Sequence, residues 1–117
     1  MKMNATRMLP AAAEASDLMK ALANRHRLLI VCQLIDGERS VGDLAEFLAI
    51  RDSTVSQHLA LLRRDGIVTA RRDGQTIFYA IANPAARRIL QTLYDIYCTA
   101  PPGRTGTANP ALRRTAP

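Results

Sequence analysis

Cysteine and histidine are scarce in this chain, and the scarcity removes whole classes of chemistry. Two cysteines, Cys32 and Cys98, and two histidines, His26 and His58, are all that 117 residues supply. They are isolated from one another in sequence, so there is no Cys-x-x-Cys unit and no Cys/His spacing of a zinc site. No apolar run reaches the ~20 residues that cross a bilayer, and the first residues hold no apolar stretch of the kind a secretory signal needs. A cytoplasmic location is the expectation, where cysteines are kept as free thiols. Catalytic signatures are missing as well. There is no P-loop, no GxGxxG, no ordered Ser/His/Asp set and no paired carboxylates, so an enzyme is not expected. No metal ion, cofactor or membrane partner is expected, and no internal repeat is visible.

The length fits one domain with a modest core, and an apolar content of 48% excludes wholesale disorder. The formal charge of +6 suits a polyanionic partner, although Arg104, Arg113 and Arg114 supply half of the excess from the chain's end. Residues 1–9 carry no anchoring pattern and read as a flexible N-terminus. The segment from Thr99 onward is dominated by Pro, Gly, Thr, Ala and Arg, and 101–117 reads as a flexible basic tail. The folded domain is expected over residues 10–100.

Within that span Pro10 suits a first helical turn, and Ala11 to Ala23 is strong helix material with Leu18, Met19 and Leu22 as its apolar edge. Asn24 can cap a second helix, Arg25 to Asp36, whose middle is almost wholly apolar and belongs in the core; Gly37 ends it. Ser40-Val-Gly-Asp43 is a capping box with Asp in place of Glu, opening a short helix to about Ala49. A link of about three residues separates that helix from the next, which makes a helix-turn-helix unit.

The next helix, Asp52 to Arg64, has two different faces. Val55, Leu59 and Leu62 recur at helical spacing as an apolar stripe, while Ser53, Thr54, Ser56, Gln57 and His58 gather in its first turn and a half. Asp52 can cap its start and Gly66 can close its end. Short polar side chains at a helix N-terminus permit close approach to a major groove and hydrogen bonds to base edges or phosphates. After Gly66 the period changes. Ile67–Arg72 and Gln75–Ile81 are rich in β-formers and flank Asp73-Gly74, which predicts a type I′ hairpin. A hairpin directly after a helix-turn-helix is a wing, and its tip carries Arg71, Arg72, Gln75 and Thr76. Asn83-Pro84 starts a last helix to about Cys98 with a broad apolar band, Ile89, Leu90, Leu93, Tyr94, Ile96 and Tyr97, which needs a cover.

The predicted fold is mainly α with a β-hairpin wing, a winged helix-turn-helix. Lys20–Ile30, Ser40–Leu44, Ser53–Leu59, Leu62–Val68 and Arg72–Tyr79 together, in this order, resemble the ArsR/SmtB family of bacterial repressors. The resemblance implies a homodimer, with Leu18, Leu22, Ile89, Leu90, Leu93, Tyr94 and Tyr97 at the subunit interface. It implies double-stranded operator DNA as the partner. Ser53, Thr54, Ser56, Gln57 and His58 would then face the groove, with Arg63, Arg71, Arg72, Gln75 and Thr76 beside the backbone. Family members that sense arsenic or zinc carry thiols before the reading helix or His and Asp along the closing helix, and neither pattern is present here. Cys32 and Cys98, one in the second helix and one ending the last, look instead like the BigR/SqrR-like branch. That likeness implies a dithiol switch: operator bound when reduced, and released when persulfides, polysulfides or oxidants bridge the two sulfurs. Cys98, at a helix end beside the expected flexible tail, is the expected first nucleophile. The alternatives are an ArsR-type repressor of a metal or another ligand, a constitutive DNA binder with inert cysteines, and a protein-only interaction module.

Overall fold

The computed structural model describes residues 3–98; the expected basic tail at 101–117 lies outside the described residues. Asn4 accepts a hydrogen bond from Thr6 N at 3.0 Å and starts a 3-10 helix, Ala5–Ala11, which runs into α1, Ala12–Leu22. Pro10 falls inside this 3-10 segment instead of opening α1, and none of the segment's residues is buried. Residues 3–9 are thus helical in part but contribute nothing to the core.

Helix α2, Arg25–Leu34, is the strut of the domain. Its start is held by Asn24, whose Oδ1 accepts from His26 N at 2.9 Å and Arg27 N at 3.1 Å, as the sequence predicts. Ile30, Val31 and Leu34 are buried on it, and α1, α3, α4 and α5 all pack against it. Arg87, 52 residues away, donates to Ile35 O at 2.9 Å and ties the last helix to the end of α2.

Strand β1, Arg39–Ser40, leads into α3, Val41–Leu48, through the predicted capping box. Asp43 N donates to Ser40 Oγ at 3.1 Å, and Ser40 N donates back to Asp43 Oδ2 at 3.4 Å. Ala49 ends α3 in the left-handed region, φ +57° and ψ +44°, and so turns the chain sharply into α4, Asp52–Arg64. Asp52 does not cap α4 as expected. Arg51 holds the cap position with no side-chain bond, and Asp52 is the first helical residue, where its charge faces the positive end of the helix dipole. Val55, Leu59 and Leu62 form the buried stripe of α4.

The wing is β2, Val68–Asp73, and β3, Thr76–Ile81, paired antiparallel from Val68↔Ile81 to Asp73↔Thr76. The turn therefore lies one residue later than Asp73-Gly74 suggested. Its central residues are Gly74 and Gln75, and of these only Gly74 has positive φ, +64°. Type I′ needs positive φ at both, so the turn follows the type II′ pattern. The two residues of β1 pair with the far edge of β3, Arg39↔Tyr79 and Ser40↔Phe78, giving the order β1-β3-β2. Helix α5, Pro84–Tyr97, closes the domain, capped by Asn83 with Pro84 in its first turn. It contributes Ala86 and Leu90 to a core otherwise built from α1 to α4 and the start of the wing.

Candidate DNA-reading face and thiol pair

The burial of Val55, Leu59 and Leu62 determines what α4 can present. Opposite them, Ser53, Ser56, Gln57, Ala60 and Arg63 are exposed, at the i, i+3, i+4, i+7 and i+10 positions of one stripe. Thr54 is half-buried at its edge. Arg63 shares the stripe but lies about 15 Å along the axis from Ser53 at ~1.5 Å per residue. A polar start and a cationic end therefore sit on the same solvent face. At the wing tip Arg72, Gln75 and Thr76 are exposed.

His58 and Arg71 are placed differently from the expectation. His58 is half-buried and turned towards α2, edge to face with His26 at 5.7 Å between ring centroids, and its Nδ1 is buried with no hydrogen-bond partner. Burial holds its pKa below the usual histidine value, and the neighbouring His26 and Arg27 act in the same direction. It is a packing residue of α4 and not part of the exposed stripe. Arg71 is exposed but engaged: its Nε and Nη2 donate to the two carboxylate oxygens of Glu38 at 3.0 and 2.8 Å. The pair joins residues 33 apart in sequence. No local pattern announces it, because it depends on β1 docking beside β3.

Of the expected subunit-contact residues, Leu22 and Leu90 are each 3% exposed and belong to the protomer's own core. Leu18 and Ile89 are half-buried and line an open groove of ≈ 970 Å³ between α1 and the start of α5. Leu93 is half-buried, whereas Tyr94 and Tyr97 stand exposed on α5 together with Ile96, as does Met19 on α1. The apolar surface in need of a cover is thus the second half of α5 with the outer edge of α1.

Cys32 is half-buried on α2 and Cys98, the C-cap of α5, is exposed; both are free thiols. Burial pushes the Cys32 thiol up, and the charges of Cys98 and Asp36 push it the same way. The two thiols thus sit on α2 and at the end of α5, two helices that pack together. Among the described residues no three His, Cys, Asp or Glu side chains converge as a metal site.

Helices, turn and wing in this arrangement have relatives. The profile of the bacterial regulatory protein, arsR family, matches residues 24–70, from the cap of α2 into the wing. The transcriptional activator HlyU of Vibrio cholerae is 44% identical over 98 residues, covering 84% of this chain and 91% of that protein. The chain belongs to the arsR family. The biofilm growth-associated repressor of Agrobacterium fabrum is 46% identical over 87 residues, 74% of each chain. The crystal structure of the transcriptional repressor BigR from Xylella fastidiosa superposes with a TM-score of 0.78 at 40% identity, covering 82% of this chain and 98% of that one. These arsR-family relatives are regulators of transcription, and this protein is a winged helix-turn-helix regulator and not an enzyme.

Proposed function

We propose that this protein is a dithiol-based transcriptional repressor, which binds operator DNA as a homodimer when reduced and releases it when Cys32 and Cys98 are bridged. The observation that carries the reading is the placement of the two free thiols on α2 and at the end of α5, helices that pack against each other. Helix α2 packs against the reading helix α4, and α5 carries the uncovered apolar surface expected to meet a second subunit. A covalent link between α2 and α5 therefore couples the DNA-facing part to the subunit contact, and couplings of ~1–3 kcal/mol suffice for such switches. The biofilm growth-associated repressor and the solved repressor BigR support the repressing sign, whereas HlyU is named an activator.

The chemistry divides between the sulfurs by exposure. Cys98, exposed, is the first nucleophile; Cys32, whose thiolate burial disfavours, resolves. With a persulfide R–S–SH, the Cys98 thiolate takes the outer sulfur and R–S⁻ leaves. Attack by the Cys32 thiolate on the Cys98 sulfur then expels hydrosulfide and leaves a disulfide. With a peroxide, Cys98 becomes a sulfenic acid and Cys32 displaces hydroxide, released as water. A donor that delivers two sulfur atoms to Cys98 leaves one of them in a longer bridge. Ser53, Thr54, Ser56 and Gln57 read the groove in the reduced state, while Arg63, Arg72, Gln75 and Thr76 hold the backbone.

The test is intact mass and operator affinity measured on one sample treated with glutathione persulfide. Loss of two hydrogens or gain of sulfur, together with loss of binding, is the expected result, and it is absent from Cys32→Ser and Cys98→Ser. Operator release by either serine variant on the same treatment contradicts the bridge, and unchanged binding of the wild type leaves a constitutive binder.

A further inference from the structure

The ion pair of Arg71 with Glu38 is built by the sheet. In the ladder Arg71 stands opposite Phe78, and Phe78 opposite Ser40. Directly opposed residues point to the same face, and so do residues two apart on one strand. Glu38 lies just before β1, and its hydrogen bonds with Arg71 put its carboxylate on the face that carries Phe78 and Arg71. The Arg71 guanidinium lies 5.1 Å from the Phe78 ring centroid and crosses it to reach Glu38. Its third nitrogen, Nη1, is 3.9 Å from Asp73 Oδ2. All three guanidinium nitrogens thus look at carboxylates. Arg72 points to the other face of β2 and forms no ion pair among the described residues.

We propose that Glu38 sets the strength of the wing's grip on DNA by holding Arg71 off the phosphate backbone, so that Arg72 and not Arg71 supplies the wing's cationic contact. The proposal rests on the reading above, in which the wing meets DNA. Its physical basis is charge balance. Affinity for a duplex rises with the net number of phosphates neutralised, through release of condensed counterions. A guanidinium paired with a carboxylate neutralises no phosphate, and pulling it onto DNA leaves Glu38 as an uncompensated negative charge beside the polyanion. Bidentate geometry and stacking on Phe78 preorganise the paired state. A weaker sequence-independent grip leaves discrimination to the start of α4, since phosphate contacts carry no sequence information.

The experiment is Glu38→Gln in the full-length protein, with affinity for non-operator duplex measured across salt concentrations. The amide keeps the shape and an acceptor but loses the charge, and the site is at the surface, so the core is untouched; a thermal melt checks this. The expected result is about fivefold tighter non-operator binding at ~100 mM salt, with a log–log salt slope steeper by ~0.9, one phosphate. On an Arg71→Ala background the same substitution should give only the smaller gain of lost repulsion, with no steepening of the salt slope. Unchanged or weaker binding by Glu38→Gln overturns the proposal, and so does an equal gain with an equally steepened salt slope without Arg71. Arg72→Ala separates the two layers. If it weakens DNA binding while Glu38→Gln changes nothing, only the restraint is wrong; if it leaves binding intact, wing contact itself has failed and the proposal falls with it.

Discussion

The imidazole of His58 meets that of His26 edge to face, 5.7 Å between centroids and 70° between planes, and this contact joins the reading helix to the first turn of α2. His58 Nδ1 is buried without a partner. A protonated ring would have to place an N–H there with no acceptor, beside a second histidine and Arg27.

Stability should therefore depend on pH through His58. Its folded pKa lies below the ordinary 6.5, through burial first and then His26 and Arg27. The unfolded chain thus binds the proton more readily, and linkage makes stability rise with pH across the interval between the two values. The contribution is complete above 6.5 and is lost as pH falls through the depressed folded value. His58→Gln should flatten the fall in urea midpoint between about pH 7 and about pH 5. An undiminished slope in that variant would place the sensitivity elsewhere.

Ala49 carries backbone strain that a smaller residue relieves. Its φ of +57° lies in the left-handed region, where a Cβ crowds the following carbonyl. Ala49→Gly should stabilise the domain by about 1 kcal/mol, the relief exceeding glycine's added freedom in the unfolded chain. Urea unfolding measures this, and a destabilised variant would mean that the turn between α3 and α4 depends on the methyl group.

Most of the fold is legible in the sequence because its punctuation is local. Asn24, Ser40 with Asp43, and Asn83 with Pro84 each announce a helix start within four residues, and each cap is present. Gly66, at φ +75°, ends α4 as expected. What escaped depends on distant chain. β1 exists only because β3 offers an edge, so the sequence does not reveal Glu38's hold on Arg71 and groups Arg71 with the backbone contacts. His58 belongs to the polar cluster by sequence, yet it lies three residues after Val55 and one before Leu59, close enough to the apolar stripe to turn towards α2. Leu22 and Leu90 fit the apolar bands of their helices equally well for either of two faces, and only packing assigns them to the protomer's own core. The type II′ turn escaped for a local reason: Asp-Gly is compatible with more than one hairpin register.

The capping box of α3 offers a third measurement. Ser40→Ala removes the acceptor for Asp43 N and should lower stability by about 1 kcal/mol. α3 is the first helix of the helix-turn-helix, so the loss should also speed amide exchange in its first turn before global unfolding. Unaltered exchange there would show that packing of Leu44 and Ala45 alone holds the helix.

The two halves of the proposed contact surface should fail in different ways when altered. Gln57 is exposed on the stripe opposite Leu59 and near the start of α4, where a side-chain amide can pair with a base edge. Gln57→Ala should reduce operator affinity by about tenfold or more, in keeping with ~1–3 kcal/mol for a base contact, and leave the salt slope unchanged. Arg72, at the wing tip, should act on phosphate. Arg72→Ala should weaken operator and random duplex by the same factor and make the salt slope shallower by ~0.9. Fluorescence anisotropy of both variants on both duplexes, at ~50 and ~200 mM salt, separates the outcomes. Should Gln57→Ala weaken both duplexes alike, the start of α4 would be gripping backbone, and sequence would have to be read elsewhere on the reading helix or through the shape of the DNA.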